Sequence, residues 1–322
     1  MDIESRRARR EERRRSVRRR RRLTAVAILL TALAAVAVVV LVSGRSSSGG
    51  SATGKGTLGS ARTSGGRRSG VTGTTSAPAA GAPGLGPVPI LMYHVIAAPP
   101  TGAPFPGLYV TPAEFAEQMH SLRDAGWHAV TLDQVEAYWR RGAPLGAGKP
   151  IVLTFDNGYQ SQYTQALPVL QRLKWVADEN MQLSGLPPSQ GGLGQEEIRG
   201  LVAAGWELDT QGFTHADLIK LDSVLLRHEV AASRAEMRAR YHVPVNWFCY
   251  PSGHYDSTVL TAVRAAGYTG STTVVPGWAH RGDDPYRLHR LRVLGGTSGT
   301  GLLAEIAAVR TNAPAPSSYS GG

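Results

Sequence analysis

The sequence predicts an α/β domain built on a parallel sheet or barrel, preceded by one membrane-spanning helix and a flexible linker. Three observations predict it. Short apolar runs alternate with helical patterns from about residue 87 onward, a twenty-residue apolar stretch lies near the N-terminus, and a Gly/Ser/Thr/Pro-rich segment separates the two. Strands repeatedly followed by helices favour a parallel arrangement, with functional groups gathered at the C-terminal ends of the strands.

Residues 1–22 carry twelve arginines against Asp2, Glu4, Glu11 and Glu12, a net charge of +8. Residues 23–42 contain only Ala, Val, Leu and Ile apart from Thr24 and Thr31. Twenty helical residues span roughly 30 Å, the thickness of the hydrocarbon layer. Arginines on the N-terminal side predict a cytoplasmic N-terminus and an extracytoplasmic remainder. A cleavable signal peptide is the alternative, but its apolar core is usually only about 7–15 residues, so an uncleaved single-pass anchor in the cell membrane is expected. The arginine-rich tail also suits contact with anionic lipid, which makes the membrane an expected partner.

Residues 43–86 form the linker, with Arg45, Lys55, Arg62, Arg67 and Arg68 and no acid. Random-coil scaling gives it a span on the order of 35 Å. Residues 312–322 read as a second loose tail, which leaves residues 87–311 as one folded domain. The charge of the whole chain is +11, yet everything outside the tail and linker sums to −2. The basicity is therefore not a nucleic-acid footprint, and no nucleic-acid partner is expected. The single cysteine, Cys249, excludes an internal disulfide framework.

Within the domain, strands are expected at residues 89–95, 129–132, 151–155, 175–177, 207–211, 247–250, 271–275 and 288–293. Thr111-Pro112-Ala113-Glu114 is a capping box with proline at the first helical position, opening a helix toward Ala125. Further helices fit residues 133–141, 165–173, 195–204, 223–241, 257–266 and 302–309.

Four segments carry chemistry. Thr154-Phe155-Asp156-Asn157-Gly158 ends a buried strand, where Asp-Asn-Gly also serves as turn chemistry. Glu207-Leu208-Asp209-Thr210-Gln211 runs into Gly212-Phe213-Thr214-His215. Phe248-Cys249-Tyr250-Pro251-Ser252-Gly253 is an apolar strand broken by a turn, and Leu288-His289-Arg290-Leu291-Arg292-Val293 is the fourth.

In this order and spacing the four segments resemble the polysaccharide deacetylase family, carbohydrate esterase family four. Pro89-Ile90-Leu91-Met92-Tyr93-His94, Ala204-Gly205-Trp206-Glu207, Arg227-His228-Glu229 and Ala265-Ala266-Gly267-Tyr268 fit the same family pattern. The resemblance implies a distorted (β/α) barrel that hydrolyses N-acetyl groups, non-peptide carbon–nitrogen bonds, on cell-envelope carbohydrate. It implies Asp156 as general base and His215 as a ligand of a divalent metal, zinc, or as an acid. It also implies that Ser252 contributes a backbone N–H to an oxyanion. His289 lies near the position of a leaving-group acid, although a structural role fits it as well. Tyr159, Phe213, Tyr250, Pro251 and Gly253 are the expected sugar-contacting residues.

The family pattern is broken at its metal. Asn157 and Gln211 stand where the resemblance implies a carboxylate and an imidazole ligand, and neutral amide oxygens are weak donors for zinc. Asp178, Glu179, Asn180 and Asp209 are further polar residues in strands that the family fills differently. Alternation places Glu207, Asp209 and Gln211 on one face. A polar network of Asp156, Asn157, Asp178 or Glu179, Asp209, Gln211 and His215 is expected in place of the metal. A metal-independent amide hydrolase and a catalytically silent glycan-binding domain are the alternatives to a metal-dependent deacetylase.

Overall fold

The structure, a computed structural model, describes residues 83–186, 191–310 and 313–321. The tail, the expected anchor at 23–42 and nearly all of the linker lie outside the described residues. Among the described residues, no helix is long and apolar enough to cross a membrane.

Nine strands among the described residues form one sheet: β1 (Val88–Tyr93), β2 (Trp127–Val130), β3 (Lys149–Asn157), β4 (Asp178–Met181), β5 (Glu207–Thr210), β6 (Trp247–Cys249), β7 (Gly270–Thr272), β8 (Trp278–Ala279) and β9 (Leu291–Arg292). The order is β7-β6-β5-β4-β3-β1-β8, with β2 on β3 and β9 on β1. Every pairing is parallel except β1 with β8. The sheet curls, and the approach to β9 ties its far edge back. Leu288 N–H donates to Ser271 O at 3.0 Å and Thr273 N–H donates to Leu288 O at 2.9 Å, while β9 itself lies against β1.

Helices cover the outside: α1 (Pro112–Asp124), α2 (Leu132–Arg141), α3 (Leu167–Leu173), α4 (Gln195–Ala203), α5 (Ser223–Arg227), α6 (Ser233–Tyr241), α7 (Ser257–Ala265) and α8 (Gly299–Ala308). The capping box at α1 forms, with Thr111 Oγ1 accepting from Glu114 N and Glu114 Oε2 accepting from Thr111 N. A second box, Thr131 with Gln134, opens α2. Outward-facing Leu91, Tyr93, Leu153 and Phe155 pack beneath α1 and α8 with Phe115, Trp206 and Ile306. Phe155 stacks on Trp206 with ring centroids 4.9 Å apart.

One topological detail positions the interior. On one side of β3, β2 pairs with residues Lys149 to Val152, and β4 pairs with Thr154 to Asn157. The end of β2 and the start of α2 therefore sit directly below the start of β4.

The strand expected at 175–177 is corrected: it begins at Asp178. Trp175 N–H still bonds Leu170 O, closing the turn after α3, and Asp178 through Met181 make the ladder with β3 and β5. Apolar content misled here because inside this curl the strand buries carboxylates. The expectation of a loose C-terminal tail is also corrected. Tyr319 and Tyr255 exchange two backbone hydrogen bonds of 2.8 Å, and Pro316 O accepts from Tyr255 Oη.

Candidate functional site

At the C-terminal ends of β1, β3, β5 and β6 the interior is filled by a hydrogen-bonded polar network. Alternation along β3 aims Thr154 and Asp156 inward and Phe155 outward. Asp156 is 2% exposed and Arg290 is 1% exposed. Arg290 Nη1 donates to Asp156 Oδ1 at 2.8 Å and Nη2 donates to Oδ2 at 2.9 Å. The same guanidinium donates to Thr154 Oγ1, Thr273 O and Cys249 Sγ. Asn180, from β4, donates to Asp156 Oδ1 at 3.0 Å. Burial works to raise the Asp156 pKa, but the charge and hydrogen bonds of Arg290, with smaller help from His94 and Asn180, hold it below the ordinary aspartate value. Asp156 is thus a buried, ionised carboxylate with both oxygens engaged.

Asn157 and Gln211 are tied to each other. Gln211 Oε1 accepts from Asn157 N at 3.0 Å, and Gln211 Nε2 donates to Cys249 Sγ at 3.2 Å. Asn157 has φ of 78°, a left-handed conformation that asparagine tolerates better than most residues. Cys249 is fully buried, and burial pushes its thiol up to about 12, so it remains protonated.

His215 sits on the loop after β5 with φ of 58°. Buried Glu229 fixes that loop: its Oε2 accepts from Phe213 N and Thr214 N at 2.8 Å each, and its Oε1 accepts from Thr214 Oγ1 at 2.5 Å. Gly212 makes this possible, since it has φ of 87° and a Cβ there would lie 3.0 Å from Glu229 Oε2. Burial lowers the His215 pKa, and the negative charges of Asp156 and Glu229 only partly restore it. His94, just past the end of β1, is pushed further, to about 4, chiefly by burial. Its Nδ1 has no hydrogen-bond partner. Two neutral imidazoles therefore flank one ionised carboxylate at pH 7.

The family's metal does not fit these residues. Gln211 Oε1 already accepts from the Asn157 main-chain N–H, the Asn157 side chain offers only a neutral amide oxygen, and Asp156 is committed to Arg290. Only His215 is left of the expected donors. Among the described residues, the one group of three or more acidic, His or Cys side chains with metal-like spacing is elsewhere: Asp178, Glu207 and Asp209.

The expected network therefore divides. Asp156, Asn157, Gln211 and His215 gather at the mouth. Asp178 pairs with Thr154 and Glu207, two residues before Asp156, whereas Asp209 is in register with Asn180 and, through it, with Asp156. Glu179 points to the opposite face from Asp178 and Asn180. It is fully buried with no well-formed hydrogen bond beyond an approach of the Gly158 N–H, and burial first, then the Asp156 charge, raises its pKa well above the glutamate value.

Several expected sugar contacts are corrected to packing residues. Tyr250 is 1% exposed and its hydroxyl donates to Tyr286 O. Pro251 and Gly253 are buried, and a Cβ on Gly253 would lie 2.4 Å from Val274 Cγ2. Phe213 is half-buried and stacked on His228, with centroids 4.5 Å apart. Ser252 is exposed at φ of 56° on the same turn. Tyr159 is half-buried and lines a cleft of about 430 Å³ with Ile96, Ala97, Ala98 and Gln160. His289 is buried, with Nε2 against Ala313 O, a structural position.

Sequence reasoning missed Arg290, Asn180, His94 and Cys249 as members of this network. Alternation puts Arg290 and Arg292 on one face of Leu288-His289-Arg290-Leu291-Arg292-Val293, so the sequence did not mark which of the two is buried.

Residues 146–271 match the family model described as polysaccharide deacetylase. The Bacillus subtilis (strain 168) protein YxkH, assigned by name to the polysaccharide deacetylases, is 28% identical over 223 residues, covering 69% of this chain and 77% of that protein. A poly-β-1,6-N-acetyl-D-glucosamine N-deacetylase of Escherichia coli (strain K12) is 46% identical over 61 residues, 19% of this chain and 9% of that protein. Among solved structures, a Streptococcus pyogenes deacetylase in complex with acetate superposes with a TM-score of 0.63 at 25% identity, covering 69% of this chain and 99% of that one. A polysaccharide deacetylase from Bacillus cereus gives 0.61 at 28% identity, covering 69% of each chain.

Proposed function

Because this chain carries a polysaccharide deacetylase domain, of a hydrolase family that acts on the N-acetyl carbon–nitrogen bonds of carbohydrate, we propose that it deacetylates cell-envelope glycan without the metal typical of the family. The observation that carries this reading is the pairing of a charged Asp156, locked by Arg290, with a neutral His215 on the rim.

In this reading His215 takes the proton from water as water adds to the acetyl carbonyl, then returns it to the sugar nitrogen as the C–N bond breaks, releasing acetate and the free amine. The carboxylate of Asp156 is saturated and 2% exposed, so it acts through its charge, favouring the imidazolium that forms. This revises the sequence expectation of Asp156 as the free base, because both of its oxygens already accept hydrogen bonds. The backbone N–H of Ser252 is the candidate donor to the developing oxyanion, since those of Gly253 and His254 already bond Tyr250 O and Pro251 O. The cleft beside Tyr159 is the proposed place for the sugar ring. Residues 23–42 are proposed to anchor the domain to the cell membrane, with the domain outside.

The test is acetate release from N-acetylated glucosamine oligosaccharides by the full chain in chelator. Release that survives chelation and falls at least a hundredfold in His215→Ala supports the proposal. Release that requires added zinc would overturn the metal-free route.

A second reading, glycan binding without turnover, is favoured by the saturation of Asp156. Retained oligosaccharide binding with no acetate release would establish it.

A further inference from the structure

Next to the Asp156 network, on the side of β4 and β5, Asp178, Glu207 and Asp209 meet inside the curl of the sheet. Asp178 and Glu207 face each other across β4 and β5, and Asp209 is one inward position further along. Each spends one oxygen on a backbone N–H: Leu132 to Asp178 Oδ1 at 3.0 Å, Asp133 to Glu207 Oε2 at 3.1 Å, and Trp247 to Asp209 Oδ1 at 2.8 Å. The other three oxygens, Asp178 Oδ2, Glu207 Oε1 and Asp209 Oδ2, are buried and make no well-formed hydrogen bond, although Asp178 and Glu207 lie close to each other, Glu207 to the Thr131 hydroxyl and Asp209 to the Asn246 N–H. Asp178 and Asp209 are 0% exposed.

We propose that these three carboxylates form a buried site for a hard divalent cation of the calcium class, separate from the mouth. One oxygen from each lies within 4.8 Å of the others. Oxygens bound to one calcium ion at 2.3–2.6 Å can be no more than about 5 Å apart, so a single ion reaches all three. An all-carboxylate donor set suits calcium or manganese rather than zinc.

Charge balance points the same way. The buried arginine of the interior, Arg290, is committed to Asp156, and none of the three acids has an ion-pair partner among the described residues. The N-terminus of α2, which supplies the N–H groups of Leu132 and Asp133, favours negative charge there but offsets only about half a unit. Uncompensated carboxylates in such a place must take up either protons or a cation. Burial first, and then mutual repulsion, raises the pKa of Asp178 and Asp209 well above the aspartate value. Protonation is therefore the rival. A bound cation would join β4, β5 and the start of α2, a structural role.

The test uses the full chain, refolded in chelator at pH 7 and then titrated with calcium or manganese. Binding of one ion per chain is expected, read by calorimetry for calcium and by loss of the free-ion spin-resonance signal for manganese, together with a higher melting temperature. Binding should persist in His215→Ala, which alters only the mouth, and weaken at least tenfold in Asp178→Asn/Asp209→Asn. These amides are isosteric and should fold at least as well if protons neutralise the wild type. No bound ion after refolding with metal, or equal binding in the double variant, would overturn the proposal in favour of shared protons. If the double variant does not fold, absence of stoichiometric binding to the wild type still overturns the proposal, while binding retained in His215→Ala supports it.

Discussion

Arg290 holds Asp156 through two parallel hydrogen bonds of 2.8 and 2.9 Å, with both side chains almost wholly removed from water. The pair joins the end of β3 to the segment that ties the sheet back on itself, so its geometry is part of the fold as well as of the site. Such a pair need not stabilise the protein relative to an apolar replacement, because each ion has lost its hydration. Breaking it is a different matter, since a lone buried charge has no compensation.

Arg290→Met is therefore expected to lower stability by about 3–5 kcal/mol. Asp156→Asn/Arg290→Met should recover much of that loss, because the uncompensated carboxylate is gone. Urea denaturation of the two variants and the wild type checks this. A single variant as stable as the wild type would show that Asp156 takes up a proton at little cost.

The parallel α/β architecture was legible because its outer faces obey the usual rules. Runs such as Ile151-Val152-Leu153 and the Thr111–Glu114 box announce a buried strand and a helix start. The mouth was legible in part, since Asp156, Asn157, Gln211 and His215 do converge. The site's partners were harder to read because they come from distant segments: Asn180 from a strand whose polar sequence argues against burial, and Arg290 from the residue just before the last strand. The sugar contacts assigned to Tyr250, Pro251 and Gly253 failed for a related reason. A strand-to-turn junction looks exposed in sequence, yet here the interior closes over it.

His94 gives a prediction in pH. Its folded pKa, about 4, lies below its unfolded value near 6.5, so the unfolded chain binds more protons between these values. Stability contributed by neutral His94 is thus fully present above about pH 6.5 and is lost as pH falls toward 4. The wild type is expected to lose up to about 1.4 kcal/mol per pH unit from this group across that window. His94→Gln should flatten the slope there, as measured by urea denaturation at half-unit steps. An unchanged slope would place the titration on another group.

Asn157→Asp/Gln211→His tests whether the mouth keeps the geometry of a metal site. Asn157 already occupies a left-handed conformation that aspartate also tolerates, so the first change carries little backbone strain. The second removes the acceptor of Asn157 N–H and the donor to Cys249, and should cost about 1–3 kcal/mol of stability before metal is added. With zinc present, a carboxylate and two imidazoles replace two amides and one imidazole. Zinc affinity is then expected to rise at least tenfold and to fall again when His215→Ala is added, read by calorimetry. If the double variant folds and gains no affinity, the Asp156–Arg290 pair has drawn the end of β3 away from any metal-binding arrangement. Turnover would then have to come from the residues as they stand, with His215 as the proton acceptor.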